Sequence, residues 1–126
     1  MNPLANFFST LFASRTQAHV YHLGAMGIGS FAAHLALQAY YEGIIPIVDP
    51  LIESIQGKSG LITGWSNVGE LRDFTSIEEV LKYFQALYLY VEQYRSQLPQ
   101  DTYVQNQVDT IVELINSTIY KLKFLK

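Results

Sequence analysis

The chain has 126 residues, 49% of them hydrophobic and 15% charged, with a formal net charge of −3 and no cysteine. That length supports one hydrophobic core and not two. The missing cysteines exclude disulfides and thiolate metal sites, as suits a reducing cytosol, and the acidic balance leaves no electrostatic footprint for nucleic acid.

A small protein this poor in charge is expected to bury some of its apolar surface against another subunit. No apolar run approaches the ~18 residues of a membrane span, so no membrane partner is expected. The apolar stretch 5–13 lacks the basic region that precedes the core of a secretory signal.

Residues 3 to about 26 read as a first helix, with Leu4, Phe7, Phe8, Leu11 and Phe12 at helical spacing. The same stripe continues through Ser14 and Ala18 to His22, so His22 is expected near the buried face. His19, off that stripe, reads as a partly exposed polar residue. Gly24, Gly27 and Gly29 crowd into six residues and predict a turn, with Ser30 as N-cap of the next helix.

The second helix is predicted over 31–56. Pro46 and Pro50 fall inside it, and each removes a backbone donor, so a bent helix or two abutting segments are expected. Residues 57–75 form the longest connection. Trp65, Leu61 and Ile62 predict that it docks on the bundle, either through a short helix or as a surface loop with one anchoring aromatic.

Ser76 and Glu79 form a capping-box pattern that opens a third helix over 76–97. Ile77, Val80, Leu81, Phe84, Leu87, Tyr88 and Val91 supply its apolar stripe, and Pro99 ends it. The fourth helix, 101–124, carries Val104, Val108, Ile111, Val112, Ile115, Ile119 and Leu122. Lys121, Lys123 and Lys126 near its end complement the helix dipole. These elements predict an all-α four-helix bundle with a long connection between helices two and three.

Four residues of the first half carry metal-ligand chemistry: His22, His34, Asp49 and Glu53. Neutral nitrogen with anionic oxygen suits iron, manganese or zinc. Asp49 and Glu53, spaced i, i+4, share one helix face. His34 and Asp49 lie 15 residues apart on one helix, or roughly 22 Å at ~1.5 Å per residue, farther than any side chain reaches. The glycine turn can bring His22 to His34. The site is therefore expected between two chains paired antiparallel, with the histidines of one against the carboxylates of the other.

The succession of His22, His34, Asp49 and Glu53, spaced by 12, 15 and 4 residues, resembles the ferroxidase centre of the Dps proteins. Those are small, iron-storing members of the ferritin-like superfamily. Phe31 and Tyr41 resemble that family's pattern too, and short phage-encoded relatives read similarly. The resemblance implies a ferritin-like bundle in which the four residues bind iron and carry its oxidation by peroxide or dioxygen. It also implies a homodimer or larger homo-oligomer, up to a dodecameric shell, in the cytoplasm of a bacterium or phage-infected host. In that family a short helix of the long connection lies at the twofold interface. Leu23 stands where a Trp usually follows the first histidine, and Gln38 where an acid often follows the second, which predicts a weak second metal position. The alternative class is a structural or interaction protein that keeps the bundle while the site is degraded or repurposed.

Overall fold

The structure, a computed structural model, describes residues 2–126. Four helices make it up: α1 (Pro3–Gly24), α2 (Ser30–Ser59), α3 (Ile77–Tyr94), extended by a 3-10 turn at Arg95–Gln97, and α4 (Thr102–Phe124). The expected bundle is present, and its helix ends fall close to the sequence boundaries.

Local chemistry explains the starts. The Asn2 side chain accepts the Leu4 N–H at 3.0 Å, and Pro3 occupies the first helical position, where its missing N–H costs nothing. The Ser76 hydroxyl accepts the Glu79 N–H at 3.1 Å, while the Glu79 carboxylate turns to Lys82 at 3.5 Å. Ser30 is not the cap of α2, contrary to expectation. Gly29 takes that place in the left-handed region, at φ 82°, and Ser30 is the first helical residue. Its freedom at positive φ makes glycine the residue that can reverse the chain here.

The two prolines do not divide α2, which runs unbroken from Ser30 to Ser59. Both are exposed. The carbonyls they orphan, of Glu42 and Pro46, lie one turn back on the same face, where water can satisfy them.

Residues at helical spacing on all four helices fill one core. Phe8 and Leu11 of α1, Leu37, Tyr40, Ile44 and Val48 of α2, Val80 and Phe84 of α3, and Val108, Ile111 and Ile115 of α4 are fully buried. Arg95 closes the turn between α3 and α4, its guanidinium meeting Glu92 at 2.9 Å and Asp109 at 2.7 Å.

The connection between α2 and α3 contains no helix. The short helix implied by the family resemblance is replaced by an extended segment, with Gly60, Gly64 and Gly69 all at positive φ. Side chains hold it down. Asn2 Nδ2 donates to the Thr63 carbonyl at 3.1 Å, Gln56 Oε1 accepts the Ile62 N–H at 3.0 Å, and Trp65 stacks on Phe12 with ring centroids 5.5 Å apart. Farther along, Arg72 meets Gln17 and Phe74 meets Gly24. The segment thus tracks α1 from its start to its end, and α3 begins where α1 finishes. The result is an up-down-down-up order with one long crossover, the connectivity of ferritin-like bundles. Among the described residues, no helix is long and apolar enough to cross a membrane.

Candidate metal centre

The glycine turn brings the end of α1 against the start of α2. Gly27 and Gly29 both adopt positive φ, and the Ser30 N–H closes on the Gly27 carbonyl at 3.2 Å. His22 and His34 face each other across this turn. Their rings stack with centroids 3.6 Å apart and planes 22° from parallel.

Their hydrogen bonds are reciprocal. His22 Nδ1 lies 2.8 Å from the His34 carbonyl, and His34 Nδ1 lies 3.0 Å from the His22 carbonyl. A carbonyl only accepts, so each Nδ1 must carry a proton. In the neutral imidazole this leaves the lone pair on Nε2, the tautomer that ligates a metal while its other nitrogen is anchored to the backbone. The His34 bond also satisfies a carbonyl in the last turn of α1, a group that has no partner within the helix.

His22 is 8% exposed and His34 is partly exposed, so the pair borders the surface. His19 and Tyr41 complete an aromatic cluster beside it. The His19 ring stacks on Tyr41 at 4.3 Å, and Tyr41 meets the His22 ring edge-on at 5.2 Å. Tyr40 points the other way, into the core, with its hydroxyl 2.7 Å from that of Ser14.

Asp49 and Glu53 are exposed on the outer face of α2. Because α2 is continuous, the roughly 22 Å separation from His34 holds, at ~1.5 Å per residue. Among the described residues, no three His, Cys, Asp or Glu side chains come together in a way that could hold a metal ion. One chain thus unites His22 with His34 but leaves Asp49 and Glu53 apart from them. Gln38, one turn after His34, donates its amide to Glu42 at 2.9 Å.

The Gln17 clamp on Arg72 was not foreseen from the sequence. A signal existed: Gln17 lies three residues from Ser14 and four from Tyr21 on the inward face of α1, where an amide must find partners. The stacking of His19 on Tyr41 left no comparable trace, because it depends on the packing of α1 against α2.

Residues 26–122 match a family described as Family of unknown function (DUF5856). His34, Asp49 and Glu53 fall inside the matched region and His22 outside it. No curated protein and no solved structure matches the chain.

Proposed function

We propose that this chain, which belongs to the family of unknown function DUF5856, binds a divalent metal, iron above all, at a Dps-like site shared between two copies. The observation that carries the reading is the reciprocal His22–His34 pair, whose Nδ1 atoms are both tied to backbone carbonyls, leaving both Nε2 atoms free to ligate. Asp49 and Glu53 of a second copy supply the anionic oxygens. The exposed position of both acids on α2, out of reach of the histidines of their own chain, supports this division of labour. So do the exposed apolar side chains beside the pair, Leu23, Met26 and Phe31, each more than 70% accessible in a single chain.

Fe²⁺ is then the substrate. Two Fe²⁺ ions each give one electron to hydrogen peroxide, which takes up two protons and leaves as water. The histidines contribute neutral donors that bind Fe²⁺ without over-stabilising it, and the carboxylates offset the charge gained on oxidation. Storage of the ferric product follows if the copies close into a shell.

Subunit mixing tests the shared site. Neither His34→Ala nor Asp49→Ala protein alone should bind the ion, whereas a mixture allowed to exchange subunits should regain one intact site per mixed dimer. Failure of the mixture to recover binding, with exchange verified by native mass spectrometry, overturns the two-chain site.

A second reading, a structural or interaction protein with a degraded centre, draws on Gln38, which stands where an acidic ligand would and is occupied by Glu42. Aerobic addition of Fe²⁺ separates the two. The ferroxidase reading requires ferric absorbance to rise faster with the native chain than with His34→Ala, and equal rates favour the structural one.

A further inference from the structure

The crossover leaves a cleft of about 600 Å³ between itself, α1 and α3, a size ordinary for small-molecule sites. It lies outside the histidine turn and owes nothing to the metal reading. Arg72 stands on its wall, and the backbone of that residue is held from within the bundle. Gln17, 3% exposed, donates Nε2–H to the Arg72 carbonyl and accepts the Arg72 N–H through Oε1, both at 2.8 Å. A buried amide that commits both its groups to one residue of the crossover fixes where that side chain departs.

The guanidinium lies over the Tyr83 ring, 5.8 Å from its centroid. Among the described residues it forms no ion pair or hydrogen bond with a carboxylate. That position leaves the N–H groups of the guanidinium without a carboxylate partner, and their fork matches the two oxygens of a carboxylate. Two acids and a second cation, Lys82, also line the cleft. Glu79 is paired with Lys82 at 3.5 Å, and Glu70 is exposed to solvent.

Below Arg72 the wall formed by α3 turns apolar, with Ala86 and Leu87. At the far end the hydroxyls of Tyr90 and Thr10 lie 3.2 Å apart. From Tyr83 to Tyr90 the helix advances roughly 10 Å at ~1.5 Å per residue, about the length of a two-ring aromatic acid. The cleft therefore offers one cationic fork, a flat apolar wall and a hydroxyl pair, in that order.

We infer that this cleft binds a small aromatic carboxylate, its carboxylate forked by Arg72 and its rings lying along Ala86 and Leu87 toward Tyr90 and Thr10. The charge at one end sets orientation, and the apolar wall supplies contact area.

Calorimetric titration of the full chain with 2-naphthoate and with its uncharged amide tests this. Naphthoate should bind about tenfold more tightly than the amide, the usual worth of a hydrogen-bonded charge. Arg72→Gln should bring naphthoate down to the level of the amide and leave the amide unaffected. Ala86→Trp, at an exposed position that tolerates a larger side chain, should fill the cleft and abolish both, with circular dichroism verifying that each variant folds. Equal affinity of the native chain for acid and amide would overturn the inference. So would naphthoate affinity left unchanged by Arg72→Gln, naphthoate binding that survives Ala86→Trp, or no binding to the native chain at millimolar concentration.

Discussion

Tyr40 is fully buried, and its one polar atom faces the Ser14 hydroxyl at 2.7 Å. Burial pushes its ionisation, and that of Tyr83, well above the ordinary phenol value of 10.0. Both phenols stay neutral in the folded chain at pH values where the unfolded chain ionises them. A raised folded value means that stability is fully present below about pH 10 and is lost as pH climbs through and beyond it. For Tyr40 the loss should approach about 1.4 kcal/mol for each pH unit above the unfolded value. Urea unfolding between pH 9 and 11 should therefore give a falling midpoint, and Tyr40→Phe should flatten the fall. An unchanged slope in the variant would assign the alkaline loss elsewhere. Tyr40 and Tyr41 are adjacent on α2 yet meet different surroundings. They part because consecutive residues on a helix point about 100° apart: Tyr40 enters the core, and Tyr41 lies against His19 and His22.

The helices follow from their own sequences, whereas the crossover depends on its partners. Residues 60–76 make no helix of their own, and their backbone groups lean on Asn2, Ser9, Gln17 and Gln56. Gln17→Leu keeps the volume but leaves the Arg72 N–H and carbonyl without their partner. It should cost about 2 kcal/mol and open the crossover to limited proteolysis before the helices yield. A protease pattern identical to that of the native chain would mean that the remaining anchors, Trp65 on Phe12 and the bonds of Asn2, Ser9 and Gln56, suffice to hold the segment. Gly24 belongs to the same argument, since a Cβ there would meet the Phe74 Cβ at 2.9 Å, so the close approach of crossover to helix requires glycine. Continuity of α2 through Pro46 and Pro50 was not evident from propensity, because the cost of a helical proline depends on whether the orphaned carbonyls face water or core.

For the whole molecule, stoichiometry is the informative quantity. The proposed shared site would draw His22 and His34 from one copy and Asp49 and Glu53 from another, with Gln38 where a further acid would stand. Anaerobic titration should give one tightly held divalent ion per site and a second bound far more weakly. Two tight equivalents would show that the loss of that acid is compensated, with Glu42 the first residue to test. Of the candidate residues, the glycine spacing made the meeting of His22 with His34 legible. Their stacking and paired hydrogen bonds were not, since they need two backbones at a set distance.

The sequence by itself determined the four helices, their approximate ends, the inward stripe of each and the separation of His34 from Asp49. These are local quantities, set by a period of 3.6 residues, a rise of about 1.5 Å and the capping chemistry of single residues. Only the tertiary structure decided that the crossover runs extended along α1, that Gln17 grips Arg72, and that the two imidazoles are locked in the tautomer with Nε2 free. Each of these joins groups at least 12 residues apart. Such contacts depend on which helix faces pack together and at what distance, and no periodicity within one segment encodes that.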